Sequence, residues 1–594
     1  MAKKFIDVMD TTFRDGFQSV FGGRVLMDDF FPAVEAAKTA GINHFEFGGG
    51  ARFQSLYFYL REDAFEMMDK FRKIVGPDAN LQTLARGVNT VMLDTGSKEL
   101  IDLHAKMFKK HGTTTIRNFD ALNDVENLKY SGERIHHHGL KHEVVVTMMD
   151  LPPECHGAHS VEFYEKTLRD ILDSGIPYDS ICFKDASGTS NPQKVFDTIK
   201  MARALVPEGT HLRLHTHETA GVSVSAYMAA LEAGIDGIDM AAAPVSGGTS
   251  QPDILTMLHA TKGMDYDLGG LEIGDILTYE KELQNCLSDY FMPPEATMVS
   301  PVLPFSPMPG GALTANTQMM RDNDILDKFP EVIAAMTEVV EKGGYGTSVT
   351  PVSQFYFQQA LNNVMQGPWK AIAPGYGKMV LGYFGKTPVE PDPEIVKIAS
   401  EKLGLEPTTQ KALDLADADE TKSLQHAIDE LKKVDLEITE ENIFIAAACQ
   451  EKGIAFLQGK GELNVRKISE MKKDCKESSM GNGNYTVVVD GQKFSVQVAE
   501  GDADIQVTAV NGESSAPVAP VSGDAEEIKA LLPGNVWKIV ANPGDNVNDG
   551  DVIMILESMK MEIDVVAPKS GVVQTINVAT NDKVVEGQVV AVIG

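Results

Sequence analysis

Eight short β-rich runs, each followed by a longer stretch with a helical pattern, occupy the first 250 residues and constrain the fold more than any other feature. The stretches between them, such as MDDFFPAVEAAKTAG, place apolar residues at helical spacing. Eight strands separated by about 25 to 40 residues fit a closed parallel barrel of strand–helix units, with polar residues at the carboxyl ends of the strands. The runs lie at residues 5–12, 44–49, 81–86, 114–122, 142–149, 180–186, 212–218 and 234–243.

The next part of the chain, residues 271–470, has a pattern that is helical with few strands, as in DILDKFPEVIAAMTEVVEKGG. We expect the barrel to comprise residues 1–270, and the helical part to form an extension that covers the mouth of the barrel.

The C-terminal part of the chain has a β pattern. Residues 480–511 alternate polar and apolar residues around Asp490 and Gly491, which predicts a small β-hairpin module. Residues 512–527, GESSAPVAPVSGDAEE, contain few large apolar residues and predict a flexible linker. Residues 528–594 contain an internal repeat with a constant offset of 37, which matches Val536 with Val573. Two such halves predict a small all-β domain with approximate twofold symmetry.

The charge and the cysteine content exclude several classes of function. The chain has 53 basic and 85 acidic side chains and a formal net charge of −32, which disfavours binding to nucleic acid or to an anionic membrane surface. Five cysteines without a CxxC pair predict neither a disulfide framework nor a thiolate zinc site. The N-terminus lacks an apolar signal segment, and no run reaches the roughly 18 apolar residues of a membrane span. We therefore expect a cytoplasmic protein.

The stretch ESMKME lies between the two halves of the repeat and must join them in a turn. A lysine at such a turn has no side-chain neighbours to hold it and is a good attachment point. The stretch resembles the biotinyl-domain motif, in which Lys560 would be acylated by biotin and flanked by Met559 and Met561. An ordinary exposed lysine is the alternative.

Two histidines and one aspartate form a candidate metal site. His215 and His217, in LRLHTHE, have the i, i+2 spacing that directs two imidazoles to the same face of a strand. Imidazole favours zinc, manganese or cobalt over magnesium, and Asp15, in DTTFRDGFQS, adds a carboxylate. A polar pair satisfied by hydrogen bonds alone is the alternative.

Lys184, in ICFKDASG, would point into the barrel beside this site. A lysine next to a metal ion is repelled unless its charge is neutralised. An ion pair with Asp185 or Glu218 would neutralise it without any metal.

Taken together, the candidate residues resemble those of the biotin-dependent 2-oxo acid carboxyltransferases. This family includes the carboxyltransferase and biotin-carrier component of two-subunit pyruvate carboxylases and the alpha chain of oxaloacetate decarboxylase. The resemblance covers nearly the whole chain. It implies the fold class α/β, with a (β/α)8 TIM barrel, a helical C-terminal extension and a small all-β biotinyl domain at 528–594. It also implies a carbamylated Lys184 as a metal ligand; relatives that perform aldol or Claisen chemistry lack this lysine. The residues that carry the resemblance are Asp15, Lys184, His215, His217 and Lys560.

The resemblance implies a role for three further residues. Arg86 would bind the substrate carboxylate, although a salt bridge at the barrel rim would also explain it. Gln18 would hydrogen-bond to the substrate or to biotin. Thr314, in MPGGALTAN, would relay a proton between the methyl carbon of pyruvate and biotin, and a plain turn threonine is the alternative. The implied reaction transfers a carboxyl group from carboxybiotin to pyruvate and gives oxaloacetate.

Five positions differ from the common pattern of this family. They leave another 2-oxo acid, such as 2-oxoglutarate, open as the substrate. The positions are Phe17, Gly48, Gln54, Leu93 and Asn118.

The sequence shows no ATP-grasp or Walker pattern, so carboxylation of biotin needs a partner protein. The resemblance implies an ATP-dependent biotin carboxylase subunit, a biotin protein ligase and a homo-oligomer formed through the barrel. The alternative is an oxaloacetate decarboxylase alpha chain, which works in the reverse direction with the membrane subunits of a sodium pump. The linker, whose coil length is only about 20 Å, favours the two-subunit pyruvate carboxylase.

Overall fold

The computed structural model describes residues 3–470, 483–489, 492–498, 526–530, 534–558, 561–580, 582–585 and 587–594. The chain divides into two compact units. The first comprises Met1–Ser288 and Met292–Val465 and contains the barrel with most of the helical extension. The second comprises Asp289–Phe291 and Arg466–Gly594 and contains the C-terminal β structure.

Eight parallel strands close into a barrel in the first unit, and their order around the ring follows the chain. The ring is closed by β1, which pairs with both β8 and β2, and a short strand β9 adds to the edge of β1. The predicted TIM barrel is therefore confirmed. The strands are β1 Lys4–Asp10, β2 His44–Gly49, β3 Asn80–Ala85, β4 Thr115–Asn118, β5 Lys141–Thr147, β6 Ser180–Asp185, β7 His211–Thr216, β8 Gly237–Met240 and β9 Tyr266–Leu268.

Most strands end earlier than the sequence pattern predicts. Strand β7 ends at Thr216 rather than at 218; beyond it the ring of His217 donates to Thr249 O and the Glu218 backbone N–H donates to Ser250 O, both in the loop after β8. Strand β8 ends at Met240 rather than at 243. The polar residues beyond the strands form loops at the carboxyl end of the barrel, which is the face where barrel enzymes carry their sites.

Helices surround the barrel, and several of them begin with a side-chain cap. Ser97, Ser160 and Asn191 each accept a hydrogen bond from a backbone N–H in the first turn of the helix that follows. These caps fix where the chain turns from loop to helix. The helices are α1 Phe17–Phe21, α2 Met27–Thr39, α3 Gly50–Ser55, α4 Ala64–Val75, α5 Lys98–Lys110, α6 Glu126–His137, α7 Val161–Asp173, α8 Pro192–Leu205, α9 Ser223–Ala233 and α10 Ile254–Ala260.

The extension contains nine further helices among the described residues. They are α11 Ile273–Cys286, α12 Gly310–Asp322, α13 Phe329–Lys342, α14 Val352–Gln366, α15 Pro374–Val380, α16 Pro393–Leu403, α17 Ala412–Ala418, α18 Leu424–Lys433 and α19 Glu440–Leu457.

The extension packs against the side of the barrel as well as at its mouth. Helix α11 packs on α2 and α19 packs on α5, where Phe444 contacts the rings of Phe53, Phe65 and Phe108. The start of α12 and the segment before α14 line the cavity at the carboxyl end of the barrel. The sequence pattern does not show what the apolar faces of α11 and α19 pack against. In the structure these faces are buried against the outer helices of the barrel. No described helix combines the length and the apolarity needed to cross a bilayer.

The second unit begins with a two-stranded module. Strands β10 Gly483–Val489 and β11 Gln492–Val498 pair antiparallel, with Val489 opposite Gln492. Asp490 and Gly491, on which the hairpin prediction rests, lie outside the described residues, as does most of the predicted linker. Strand β12 begins at Glu526, inside the segment 512–527 that the sequence assigns to that linker.

Two four-stranded sheets form the C-terminal domain, with strand orders β12-β19-β17-β14 and β16-β15-β13-β18. Strands β13, β14 and β15 recur as β17, β18 and β19 at the offset of 37 that the repeat predicts, and Val536 and Val573 occupy equivalent buried positions. Lys560 lies outside the described residues. The strands are β12 Glu526–Lys529, β13 Gly534–Ile539, β14 Asn546–Val547, β15 Val552–Ser558, β16 Met561–Val566, β17 Gly571–Ile576, β18 Lys583–Val584 and β19 Val589–Ile593.

Candidate metal centre and substrate pocket

Asp15, His215 and His217 converge at the carboxyl end of the barrel, and all three are buried. Asp15 lies in a π-helical turn, Thr12–Gly16, that follows β1, whereas the two histidines lie at the end of β7. Asp15 Oδ2 is 3.2 Å from His215 Nε2 and 3.3 Å from His217 Nε2, and the two Nε2 atoms are 3.1 Å apart. The structure therefore brings these three predicted ligands together.

The hydrogen bonds behind the two imidazoles fix their tautomers. His217 Nδ1 is 2.7 Å from Thr249 O, and a carbonyl oxygen only accepts, so this Nδ1 carries the hydrogen. His215 Nδ1 is 2.8 Å from Asp239 Oδ2. Burial raises the pKa of Asp239, but Arg117 and His215 outweigh it and hold this pKa well below its usual range. Asp239 is therefore a carboxylate that accepts the hydrogen of His215, and both Nε2 atoms present lone pairs.

Three acceptors thus face one another over short distances: two imidazole lone pairs and one carboxylate oxygen. With the hydrogen of each ring on Nδ1, neither Nε2 donates to the other, and burial lowers the pKa of His215 to about 4, so His215 carries no second proton near neutral pH. Two neutral imidazoles and a carboxylate are a donor set for zinc, manganese or cobalt. The residues present fit a divalent cation.

Lys184 lies in β6, is 3% exposed, and places its Nζ 3.9 Å from Asp15 Oδ2. Among the described residues it makes no ion pair with Asp185 or Glu218. The Asp185 carboxylate instead accepts hydrogen bonds from backbone N–H groups of its own loop, at Ser187, Gly188 and Ser190. Burial lowers the pKa of Lys184, although Asp15 opposes the change. The amine is therefore more readily neutral than an exposed lysine.

A second layer of buried charge surrounds these residues, and the sequence patterns did not predict it. Arg14 Nη2 lies 3.1 Å from Asp15 Oδ2 and 2.6 Å from Glu46 Oε2, while Arg117 contacts both Glu143 and Asp239. The sequence did contain one indication of these buried ion pairs. Acidic residues inside apolar strand runs, such as HFEFGG and GIDMAAA, are costly to bury without a partner and so indicate an internal ion pair.

Arg86 follows β3 and is 3% exposed. Its Nη1 donates to the backbone carbonyl oxygens of Val91 at 2.6 Å and Met92 at 3.0 Å. Within the described part of the chain it has no carboxylate partner. Burial, with a smaller contribution from Arg14, lowers the pKa of Arg86 to about 9. A buried guanidinium of this kind is ready to bind an anion.

Gln18 and Thr314 lie on either side of the boundary between barrel and extension. Gln18 lines the cavity, and its Oε1 is 3.5 Å from Arg14 Nη1. The Thr314 hydroxyl is buried, donates to Ser19 O at 2.5 Å and lies 3.4 Å from Thr249 Oγ1. The proton-relay role of Thr314 stays a prediction.

None of the five positions that depart from the family pattern is among the described residues that line this cavity. Phe17 is fully buried in an aromatic cluster with Phe13, Phe21 and Phe30. The Gln54 amide donates to Ala448 O in α19 at 2.9 Å, and Asn118 Oδ1 accepts from the Gly87 backbone N–H at 2.9 Å. These side chains support the fold around the pocket.

Comparison with known proteins decides the family. A conserved carboxylase domain matches residues 303–502, and a biotin-requiring enzyme domain matches residues 526–593. A pyruvate carboxylase subunit of Methanothermobacter thermautotrophicus is 30% identical over 569 residues, which are 94% of each protein. This chain belongs to the biotin-dependent carboxyltransferase family. The methylmalonyl-CoA carboxyltransferase 5S subunit of Propionibacterium freudenreichii subsp. shermanii is 31% identical over 416 residues, covering 69% of this carboxyltransferase and 79% of the 5S subunit.

The fold of this biotin-dependent carboxyltransferase also has a solved counterpart. The carboxyl transferase domain of Rhizobium etli pyruvate carboxylase, determined with 3-bromopyruvate, superposes with a TM-score of 0.69 at 24% identity over 77% of each chain. The enzyme class predicted from the sequence, a biotin-dependent carboxyltransferase with its own biotinyl domain, is confirmed.

Proposed function

We propose that this carboxyltransferase transfers a carboxyl group from carboxybiotin, carried on Lys560, to pyruvate, giving oxaloacetate, as the carboxyltransferase and biotin-carrier component of a two-subunit pyruvate carboxylase. The observation that carries the proposal is Arg86, a buried guanidinium with no carboxylate partner among the described residues. It lines the same cavity as Asp15, His217 and Lys184. A small 2-oxo acid would supply the carboxylate that this arginine lacks.

Asp15, His215 and His217 would hold a divalent cation, with zinc, manganese and cobalt favoured by the imidazole ligands. Such a cation, when bound, polarises the 2-oxo group and stabilises the negative charge that develops on its oxygen. Carbamylated Lys184 would complete the ligand set. Its lowered pKa supports this modification, because only the neutral amine adds to carbon dioxide, forming the N–C bond and releasing one N–H proton.

The substrate would be held by side chains that are already fixed. Arg86 would bind the carboxylate with its planar fork, while backbone carbonyls hold its other edge. The Gln18 amide would hydrogen-bond to the substrate or to biotin. Leu84, Phe119 and Val349 provide an apolar wall to the cavity that excludes water from the reacting atoms.

Thr314 would move the proton. Once the N–C bond of carboxybiotin has broken and released carbon dioxide, the Thr314 oxygen would take the proton that leaves the methyl carbon of pyruvate while its own hydroxyl proton passes to the freed biotin nitrogen. The methyl carbon then forms its new C–C bond to the carbon dioxide, and the threonine hydroxyl is regenerated. Its present bond to Ser19 O holds the hydroxyl in one orientation and would have to be exchanged for the bond to the proton acceptor. The buried position of Thr314 supports this role, since bulk water cannot compete for the proton.

The proposal includes an ATP-dependent biotin carboxylase subunit as partner, a biotin protein ligase that modifies Lys560, a homo-oligomer formed through the barrel, and a cytoplasmic location. The oxaloacetate decarboxylase alpha chain, with membrane partners and the reverse direction, is the competing assignment. Carboxylation of 2-oxoglutarate is a second competitor; among the described residues at the cavity wall, the further guanidinium that could meet its second carboxylate is Arg14, which is already paired with Asp15 and Glu46.

The test is purification of the native complex with a tag on this chain, followed by assay of oxaloacetate formation from pyruvate, ATP and bicarbonate. We expect a co-purified biotin carboxylase and activity that depends on ATP. Arg86→Met should raise the KM for pyruvate by about 100-fold, since a charge-assisted bidentate contact is lost. Arg72→Met removes an arginine that donates to carbonyl oxygens outside the site and should leave this KM unchanged.

Two results would contradict the assignment. ATP-independent decarboxylation of oxaloacetate by a complex with membrane subunits would establish the pump component instead. Faster turnover of 2-oxoglutarate than of pyruvate would establish the other substrate.

A further inference from the structure

Gln251 lies in the loop after β8 and is fully buried at the metal centre. Its Nε2 is 3.0 Å from Asp15 Oδ2 and 3.0 Å from His217 Nε2. Its Oε1 lies 2.7 Å from Thr11 Oγ1, whose single hydrogen is shared between this oxygen and Met240 O at 2.9 Å, and 3.2 Å from Ser250 Oγ. The amide is therefore held on one edge by hydroxyl groups and faces two candidate metal ligands with the other.

The hydrogens of this amide have defined acceptors. A glutamine NH2 group has two hydrogens, and both Asp15 Oδ2 and His217 Nε2 are acceptors, because the single hydrogen of the imidazole is on Nδ1. The reverse orientation of the amide would add a fourth acceptor to the three that already converge there. The arrangement of donors and acceptors thus selects the orientation in which Gln251 donates to both ligands.

The loop that carries Gln251 contacts both ring nitrogens of His217. Thr249 O accepts the Nδ1 hydrogen, and two residues later the Gln251 amide lies at Nε2. Thr249 Oγ1 also lies 3.4 Å from Thr314 Oγ1 in α12. One short segment, residues 249–251, therefore contacts the ring of His217, the carboxylate of Asp15 and the hydroxyl of Thr314.

We propose that Gln251 is a positioning residue of the metal centre, which holds the Asp15 carboxylate in place for a divalent cation. The same amide also donates to the lone pair of His217 Nε2. This inference rests on the proposed metal centre and extends it to a residue that is not itself a ligand.

The two hydrogen bonds of Gln251 differ in strength and in persistence. The bond to Asp15 is charge-assisted and roughly twice as strong as a neutral one, and it would remain with a cation bound, because the carboxylate has lone pairs for both. The bond to His217 is between neutral groups, and it would be replaced by a bond from His217 Nε2 to the cation. Apart from the two histidines and Lys184, the other contacts described for Asp15 are to Arg14, which is shared with Glu46, and to Ser19 Oγ at 3.4 Å. Without Gln251 the carboxylate is free to turn toward Lys184, so net metal affinity falls.

The experiment uses the full-length chain carrying Gln251→Met, which keeps the side-chain length and removes both donors. Metal-free protein is titrated with Zn²⁺ in competition with a chromophoric chelator, and the d–d absorption of the Co²⁺ form is recorded. We expect zinc affinity to fall by about 10- to 100-fold, the range found when residues that orient metal ligands are changed, together with an altered cobalt spectrum.

Gln359→Met is the matched control. Gln359 is also fully buried, but its amide donates to Asn363 Oδ1 and Ala371 O in the helical extension. Its loss tests whether removing any buried amide weakens metal binding through general loss of stability. We expect this variant to bind zinc with wild-type affinity and to keep the wild-type cobalt spectrum.

A folded Gln251→Met protein with wild-type zinc affinity and an unchanged cobalt spectrum would overturn the role of Gln251 while leaving the metal centre standing. A wild-type protein that binds neither zinc nor cobalt would overturn the metal centre itself. If Gln251→Met does not fold, Thr11→Val replaces it. That variant removes the hydroxyl that anchors the Gln251 amide and should weaken zinc binding by about fivefold, the value of one neutral hydrogen bond.

Discussion

His215 lies in β7 and His217 directly follows the strand, yet different neighbours fix their tautomers. A buried carboxylate, Asp239, holds His215, and a backbone carbonyl, Thr249 O, holds His217. Arg117 and Arg213 both contact Asp239 and keep it ionised. The chemistry of the centre thus depends on residues that are not ligands, as is general for protein metal sites.

Asp239→Asn tests this dependence. The neutral amide no longer attracts the His215 hydrogen as the carboxylate does, and it leaves Arg117 and Arg213 with one counter-charge fewer. We expect zinc affinity to fall by about 10- to 100-fold in a chelator competition titration. Asp236→Asn changes an aspartate that pairs with Arg203 and Lys4 instead, and it should bind zinc as the wild type does.

The first turn of α12 lies directly against the loop whose Thr249 O accepts a hydrogen bond from His217. A Cβ atom on Gly310 would lie 1.6 Å from Thr249 O and 3.0 Å from His217 Nδ1. Real Cβ atoms do not approach a carbonyl oxygen so closely, so either α12 or the loop would have to move. The glycine is required here by this close approach of two backbones.

Gly310→Ala should therefore displace α12 or Thr249 by an ångström or more. We expect the carboxyl transfer rate to fall by about 100-fold, the usual effect of such a misplacement near reacting groups. Gly274→Ala, in α11, meets no neighbouring atom within 4 Å and should leave the rate unchanged while stabilising the helix slightly. Equal rates for the two variants would show that α12 does not need its present position.

The packing of α11 against α10 creates a pH-dependent contact. Burial raises the pKa of Glu280 to about 8, and the neighbouring Asp253 adds to this effect. An unfolded glutamate titrates near pH 4.3, so between about pH 4.3 and 8 the folded state binds the extra proton. The contribution of Glu280 to the free energy of unfolding is therefore present at low pH and is lost as the pH rises through about 8.

Glu280→Gln removes this titration and keeps an amide donor for Asp253. We expect the Tm of the wild type to fall relative to that of the variant as the pH is raised from about 6 to about 9, in thermal melts followed by circular dichroism. Parallel pH profiles for the two proteins would contradict the assignment of the titration to Glu280.

At the scale of the whole molecule, the centre and the carrier belong to different units. The three candidate ligands lie in the first unit, whereas Lys560, the proposed site of biotin attachment, belongs to the second. Lys560→Arg should abolish biotinylation, checked by a streptavidin blot, and with it carboxyl transfer. Zinc affinity should be unchanged, because no ligand is altered. Biotin that persists in this variant would show that another lysine carries it.

Much of the architecture was predictable because it depends on near neighbours in the chain. The spacing of apolar residues predicted the eight barrel strands, and the repeat offset of 37 residues predicted the strands that recur in the C-terminal domain. Strand ends were predicted less well, because at the carboxyl face they depend on contacts with distant loops, as His217 shows. Phe17 is one of the departures from the family pattern that left the substrate open, and its aromatic neighbours place it in the core.

By itself, the sequence determined the repeat, the barrel and the types of residue that could bind a metal, because each is written in local spacing or composition. Only the tertiary structure decided which other side chains surround and orient the candidate metal ligands. Gln251 is more than 230 positions from Asp15, and Asp239 is more than 120 from Arg117, so no local pattern relates them. Closure of the barrel places the ends of all eight strands around one point, and this juxtaposition creates the hydrogen bonds and buried charges of the centre.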